Sequence, residues 1–390
     1  MPGRGVSRAA DPFARRPILH GAKIMRLGFS AILSLASLVC LASQFAVQAA
    51  EGDGAAAKSG AAGIVPADAK LELLFTRTAK INGGLTEGAA VAPDGSIYFS
   101  DIPVGMDKGQ ILRFDPATGK TTVFSDDSGK ANGLMFDAQG RLVACEGSDH
   151  GGRCVSRWDT KTGKKEILAQ AYMGKRFNAP NDLAIDLKGR IYFTDPRYLG
   201  DEPRELEHRA VYRIETEGGV TEVTHDVEKP NGIAISPDQK TLYVADNNNG
   251  TDRIDPAAPP PEKGAMKIYA FPLDAKGMVA GERKTIYDFG DESGCDGMTL
   301  DTKGNLYLSS RSAKRPGILV IEPAAGKEMA KELAFIPTGK PQPDGKPPVG
   351  LPSNVDFGIG DESHVLYITV DVSLYRIRLN AEGFHIPWAK

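Results

Sequence analysis

Hydrophobic residues along most of this chain alternate with polar or small ones at a period of two, in short runs separated by turn residues. In residues 181–195, apolar side chains at positions 183, 185, 191 and 193 flank a Lys188-Gly189 turn. This pattern predicts two short antiparallel strands joined by a tight turn. No long helical periodicity occurs outside the N-terminal region, so the pattern favours an all-β fold.

The same hairpin pattern occurs six times, and every copy begins with an acid or an amide. A third strand-like run follows each copy, and a fourth follows most of them. Four strands per unit at this repeat length predict a six-bladed β-propeller with four-stranded blades. We call the first residues of the copies the ring residues; they are Glu87, Asn132, Asn181, Asn231, Asp296 and Asn354.

Residues 67–390 are predicted to form this propeller. The sixth unit has no clear fourth strand after Leu379, whereas the strand-like run Leu71–Thr76 has no unit of its own. We therefore expect the N-terminal strand to close the last blade, which would remove an exposed sheet edge.

The N-terminal region has the pattern of an export signal. In residues 1–49, basic residues precede an apolar run that ends in a small-residue cleavage site, and the low-complexity residues 50–66 predict a disordered linker. Export predicts a periplasmic or secreted protein with no stable membrane span after cleavage. The modest net charge of −3 indicates no nucleic-acid partner. The sequence leaves the oligomeric state open.

Three cysteines follow the predicted signal peptide. Cys145 and Cys154 could pair in an oxidising compartment, which would leave Cys295 as a free thiol.

The repeat also makes a prediction about chemistry, because equivalent positions on the innermost strands of a propeller converge near its axis. The ring residues are two carboxylates and four amides, and all of these offer oxygen ligands. Oxygen donors suit a hard divalent cation, so we expect Ca²⁺, with Mg²⁺ and Mn²⁺ as alternatives, and the lack of His or Cys argues against zinc. The alternative interpretation is that Asn or Asp before Gly merely starts a turn. Six occurrences in one register favour the metal site.

Several of these segments resemble the SMP-30/gluconolactonase/LRE family of calcium-dependent six-bladed propellers, over roughly residues 84–378. The segments are Glu87-Gly88, Asn178–Leu183, Tyr192–Pro196, Pro230–Pro237, Leu242–Asp246 and Asp296–Met298. The first copy departs mildly, with Glu-Gly-Ala where the family usually has Glu-Gly-Pro.

The resemblance implies a hydrolase of lactones or related esters that acts on a small-molecule substrate. It implies metal ligands at Glu87, Asn181, Asn231 and Asp296, with the metal polarising the carbonyl group. It also implies Asp296 as the catalytic base or nucleophile.

Four further residues are predicted to contact the substrate. Asn132 and Asn354 would do so from the channel, and Arg176 and Asn178 from the loop before the third copy; Arg176 could equally be a solvated loop residue. An alternative function is that of an exported binding or scaffold protein with a structural Ca²⁺ in its channel. Organophosphate hydrolysis is a further option, because the same metal could bind a phosphoryl oxygen.

Overall fold

The computed structural model describes residues 63–79, 83–251, 262–324, 329–341 and 348–388. The predicted signal peptide and most of the predicted linker lie outside these residues. Within them the protein is all-β, and the one helical element is a three-residue 3₁₀ turn at Gly360–Glu362. No helix in this part of the chain is long and apolar enough to cross a membrane.

In chain order, the strands of these residues are β1 (Glu72–Thr76), β2 (Leu85–Val91), β3 (Ile97–Ile102), β4 (Gln110–Asp115), β5 (Lys120–Ser125), β6 (Ala131–Phe136), β7 (Leu142–Glu146), β8 (Cys154–Trp158), β9 (Lys165–Ala169), β10 (Ala171–Tyr172), β11 (Lys175–Arg176), β12 (Leu183–Ile185), β13 (Ile191–Thr194), β14 (Val211–Ile214), β15 (Val220–Thr224), β16 (Pro230–Ile235), β17 (Thr241–Asn247), β18 (Met266–Pro272), β19 (Lys284–Asp288), β20 (Cys295–Leu300), β21 (Leu306–Ser310), β22 (Gly317–Glu322), β23 (Lys331–Pro337), β24 (Pro352–Phe357), β25 (Val365–Val370) and β26 (Ser373–Arg378).

The strands of the described residues form six four-stranded antiparallel sheets and one two-stranded hairpin, β10–β11. Five sheets follow chain order, as β2–β5, β6–β9, β12–β15, β16–β19 and β20–β23, and the sixth has the order β1-β26-β25-β24. The first strands of neighbouring sheets contact one another around the ring. This arrangement confirms the six-bladed propeller.

The N-terminal strand closes the ring, as predicted. β1 pairs antiparallel with β26, with Glu72 opposite Arg376 and Thr76 opposite Ser373. The guanidinium of Arg376 also donates to the Glu72 carboxylate at 2.9 Å. The sixth blade is therefore built from both ends of the propeller domain, and β1 covers the edge of β26.

The hydrophobic core lies between the blades. Six clusters of buried apolar residues each combine two neighbouring blades, and one of them joins the sixth blade to the first. Ile64 and Val65 belong to the cluster between the fifth and sixth blades, so the packed chain begins before the predicted boundary at residue 67. Residues at equivalent positions on the second strand of each unit are buried; they are Tyr98, Val143, Tyr192, Tyr243, Tyr307 and Tyr367.

The segment after β26 crosses the end of the channel opposite the ring residues. The backbone N–H of Phe384 donates to the carbonyl of Leu300 at 3.0 Å, in the fifth blade. Ile386 packs into the cluster of the second and third blades. The ring centroids of Trp388 and Phe136 lie 6.4 Å apart. This segment, residues 380–388, therefore covers the channel at that end.

Cys145 and Cys154 are buried free thiols on neighbouring strands of the second blade. Cys145 lies opposite Val155, and Cys154 lies opposite Glu146. The two cysteines are thus one position out of register, and their side chains project from opposite faces of the sheet. The disulfide that the sequence allowed does not form for this reason.

Candidate functional site

The ring residues occupy equivalent positions at one end of the channel. Five of them lie inside the innermost strands, and Asn181 lies two residues before β12. Asn132 is half-buried, whereas the other five are between 3% and 8% exposed. The fold thus brings all six predicted positions to the same level of the propeller.

A local irregularity of the sheet accompanies nearly every ring residue. In the first, second, fourth, fifth and sixth blades, the pairing between the two innermost strands shifts register at or next to this position. Such bulges turn a side chain away from the regular alternation of a strand. The shifts explain how these side chains can point to the axis although they belong to buried strands.

Four ring residues are followed by glycine, and these glycines allow neighbouring blades to touch. A Cβ atom on Gly88 would lie 2.2 Å from the carbonyl oxygen of Asn132, and one on Gly232 would lie 2.2 Å from that of Asp296. Gly133 and Gly297 are similarly crowded by the next blade. The Asn-Gly and Asp-Gly pairs therefore do not start turns; they permit close backbone approach at the axis.

Two buried carboxylates fix the loops that precede Asn181 and Asn231. Asp195 accepts the backbone N–H groups of Asn178 and Ala179 at 2.8 and 2.6 Å, and Asp246 accepts those of Glu228 and Lys229 at 3.0 and 2.9 Å. Asp195 directly follows β13, and Asp246 lies at the end of β17; both aspartates are fully buried. Burial raises the pKa of each carboxyl to about 6, and the N–H bonds oppose that rise. Both groups are therefore ionised at neutral pH and bind these loops as charged acceptors.

Negative charge is concentrated at the centre of the ring. Burial raises the pKa of Glu87 well above its usual value, and repulsion from Asp296 and Asp182 adds to the rise. Burial also raises the pKa of Asp296, against the effects of the Arg311 guanidinium and a hydrogen bond from Asn231. Carboxylates that repel one another in a buried place favour a bound cation.

Arg311 holds one oxygen of Asp296. Its guanidinium donates to Oδ2 of Asp296 at 3.1 Å and to the carbonyl of Pro352 at 3.3 Å, so it links the fifth blade to the sixth. Arg311 is not predictable from the repeat, because it follows β21 at a position that no other blade uses in this way.

Asp182 is a third carboxylate at the axis, and it lies outside the predicted set. It accepts the backbone N–H of Leu183 at 2.9 Å, and it also accepts bonds from the Asn354 side chain and the Ile233 backbone. Burial, with repulsion from Asp296, raises its pKa to about 7. A signal for it was present: the third copy has Asn-Asp where four others have an acid or amide before Gly.

The donor set fits a hard divalent cation. No group of three or more His, Cys, Asp or Glu side chains suited to a metal occurs in the described ranges. The predicted ligands Glu87, Asn181, Asn231 and Asp296 instead combine two carboxylates with two amides, and all four offer oxygen atoms. Residues that bind through oxygen, beside mutually repelling carboxylates, match the preference of Ca²⁺ more closely than that of zinc.

The predicted substrate contacts are in different surroundings. Asn354 bonds to Asp182 within the channel, and the carbonyl of Asn132 accepts the Ser100 hydroxyl at 2.7 Å. Arg176 is exposed on β11, and its guanidinium donates to the carbonyl of Gly152 at 2.8 Å. A substrate role for these three residues stays a prediction.

Asn178 is fully buried, and its side chain is engaged on both polar atoms. Nδ2 donates to the carbonyls of Asp195 and His208, and Oδ1 accepts from Arg204 at 3.2 Å. These bonds support the loop before Asn181. Contact with a substrate would have to replace them, so its predicted substrate role remains untested.

Comparison with known proteins gives consistent results over most of the chain. The family model SMP-30/Gluconolactonase/LRE-like region matches residues 85–371. A gluconolactonase of Zymomonas mobilis subsp. mobilis is 28% identical over 324 residues, covering 76% of this chain and 79% of that protein. A pentonolactonase of Haloferax volcanii is 26% identical over 300 residues, covering 76% and 85%. The structure of a gluconolactonase from Xanthomonas campestris has a TM-score of 0.63 at 28% identity, covering 82% of this chain and 91% of that chain.

Proposed function

The chain belongs to the SMP-30/gluconolactonase/LRE-like family, and on that premise we propose that it is a divalent-cation-dependent hydrolase of lactones. The observation that carries the proposal is the buried cluster of oxygen donors in which burial and the Asp296 carboxylate raise the pKa of Glu87. The similarity to a gluconolactonase and a pentonolactonase supports sugar lactones as the substrate class.

Glu87, Asn181, Asn231 and Asp296 would hold the cation, with Ca²⁺ as the first candidate and Mg²⁺ or Mn²⁺ as alternatives. When bound, the cation supplies a Lewis acid that stabilises negative charge on the lactone carbonyl oxygen. Glu87 is 3% exposed, less than Asp296 at 8%, and would act only as a ligand. The predicted export would place this reaction in the periplasm or outside the cell.

Asp296 is the proposed catalytic base. Burial raises its pKa, which makes it a stronger base than an exposed aspartate while it is ionised. Arg311 fixes Oδ2, so the carboxylate keeps one orientation. Asp296 takes a proton from the attacking water as the new carbon–oxygen bond forms. It then gives the proton to the ring oxygen as the lactone bond breaks, which yields a hydroxy acid.

The proposal is tested by assaying the purified protein on sugar lactones, aryl esters and a fluorophosphate, with each cation and with a chelator. We expect lactone turnover that a chelator abolishes and Ca²⁺ restores. Asp296→Asn should lower kcat by about 10²–10⁴-fold, the usual contribution of a positioned base. Asp288→Asn, an exposed carboxylate on β19 that pairs with Lys267, is the matched control and should leave kcat unchanged.

The outcomes separate the alternatives. Cation binding without turnover of any substrate would refute the hydrolase and favour a binding or scaffold protein. Activity of Asp296→Asn equal to that of the unmodified protein would refute the catalytic role. A single turnover in ¹⁸O-labelled water distinguishes the two chemical roles, because label enters the Asp296 carboxylate only if that group attacks the lactone directly.

A further inference from the structure

We propose that Tyr198 is a positioning residue that fixes the orientation of the Asn231 side chain, so that its oxygen rather than its nitrogen faces the cation. The inference rests on the cation site of the proposed function and extends it to a residue outside the ring. Tyr198 lies in the loop between β13 and β14 of the third blade, whereas Asn231 lies on β16 of the fourth blade.

Two hydrogen bonds of the Tyr198 hydroxyl fix the direction of the amide. The hydroxyl donates to the backbone carbonyl of Asn247 at 3.1 Å. Nδ2 of Asn231 donates to the same hydroxyl oxygen at 3.0 Å. A carbonyl only accepts, so it commits the single hydroxyl proton of the tyrosine. The hydroxyl oxygen can then only accept, and the group that faces it must be the NH₂ end of the amide.

The second amide hydrogen of Asn231 is also committed, because its side chain donates to Asp296. With both hydrogens used, Oδ1 is the atom left to bind a cation. The two ends of an asparagine side chain have nearly the same shape, so a half-turn of the amide would cost little in packing. Without Tyr198, the amide could present its NH₂ group to the cation. That group has no available lone pair, so it cannot bind a cation.

The tyrosine is itself held in place from the fourth blade. The Lys229 ammonium lies 4.3 Å from the centroid of the Tyr198 ring. Lys229 is fully buried, and its Nζ donates to Asn249 and to both oxygens of Thr251 at 2.8–2.9 Å. The carbonyl of Asn247 belongs to β17, which is paired on both sides in the fourth blade. The acceptor that orients the tyrosine is therefore part of the rigid sheet.

The test measures cation affinity, which a merely structural tyrosine would not change. Titration calorimetry with CaCl₂ is carried out on the unmodified protein and on Tyr198→Phe. Removal of a group that orients a metal ligand usually weakens affinity by about 10–100-fold, and we expect a loss of at least about tenfold. Tyr192→Phe is the control: Tyr192 is a buried tyrosine of the same blade whose hydroxyl donates to the Gly277 carbonyl, remote from the ring. It should leave the Ca²⁺ affinity unchanged.

A double-mutant cycle with Asn231→Asp isolates the orienting effect. A carboxylate has two equivalent oxygens, and either one can bind the cation. Tyr198→Phe should therefore change the Ca²⁺ affinity by less than about twofold in the Asn231→Asp background. Failure of the unmodified protein to bind Ca²⁺, Mg²⁺ or Mn²⁺ would overturn the proposed function itself. Normal cation binding by the unmodified protein with equal affinity in Tyr198→Phe would overturn only the role of Tyr198. An equal loss in both backgrounds would also overturn it, because it would show a general loss of structure.

Discussion

Replacement of Gly232 by alanine tests how closely the blades must approach for the site to exist. Gly232 follows the ring residue Asn231, and its backbone does not have the positive φ that favours glycine. Alanine therefore adds no backbone strain at this position. Its Cβ atom would instead lie 2.2 Å from the carbonyl oxygen of Asp296 and 3.0 Å from Cα of Gly297.

The size of the effect follows from these distances. Carbon–oxygen contacts between backbone groups are ordinarily about 3.3 Å or longer, so the fourth and fifth blades would have to separate by about 1 Å at the axis. Overpacking of this kind costs about 1–3 kcal/mol of stability. Asn231 and Asp296 lie on the two strands that separate, and a misplacement of about 1 Å at a reacting site can cost about 10²-fold in rate.

Urea unfolding gives the stability of the Gly232→Ala variant, and calorimetry with CaCl₂ gives its cation affinity. We expect an unfolding free energy lower by about 1–3 kcal/mol and a larger proportional loss of lactone turnover. Gly147→Ala is the matched control, because Gly147 also lacks a positive φ and its Cβ would meet only the Lys130 carbonyl, at 3.5 Å. Unchanged stability, affinity and turnover in Gly232→Ala would refute the close approach as the reason for the glycine.

Three further predictions concern the loops, the covered end of the channel and the cysteines. Asp246→Asn should lower the unfolding free energy by about 2 kcal/mol and weaken Ca²⁺ binding, because the amide can accept only one of the two loop N–H groups. Urea unfolding measures the stability and calorimetry measures the Ca²⁺ affinity. Unchanged values of both would contradict the role of the carboxylate. Termination of the chain after residue 383 removes the buried Ile386 and the packed Trp388. It should lower the free energy of unfolding, measured in urea, by at least about 3 kcal/mol. A decrease below about 1 kcal/mol would show that residues 384–388 do not contribute to the core. Cys145 and Cys154 should both react with a thiol reagent after unfolding without reductant, and reductant should not change the melting temperature. A disulfide between them, detected by mass spectrometry, would contradict the pairing register of β7 and β8.

The repeat predicted the fold because one pattern, present six times, has to satisfy the same packing in every blade. It also predicted the level of the ring residues, since Glu87 and Asp296 begin their copies at the same position as the amides. The bulges that turn these side chains toward the axis leave only an indirect trace in the sequence, as the glycines that follow them. A glycine after Asn or Asp is also typical of a turn, and only the contacts between the blades distinguish the two interpretations.

The residues that the sequence did not predict break the repeat or come from outside it. Asp182 replaces the glycine of other copies, and Tyr198 and Arg311 come from loops that differ in length from blade to blade. Their roles depend on which neighbouring blade each loop reaches, and one sequence carries no measure of that distance. Asn178 lies in a recognisable motif, and its contact with substrate stays a prediction. Its hydrogen bonds support the loop before Asn181.

The pairing of β1 with β26 has a consequence for when the site comes into being. Glu72 and Arg376 are 304 residues apart in the chain, so this pairing closes almost the whole domain into one loop. Long-range pairings of this kind form slowly, because loop closure costs entropy before the contacts repay it. Glu87 lies in the first blade and Asn354 in the sixth, on either side of this seam. In a chain that has not yet joined its ends, the ring residues therefore form an incomplete circle, and the proposed cation site would be complete only in a domain whose two ends have met.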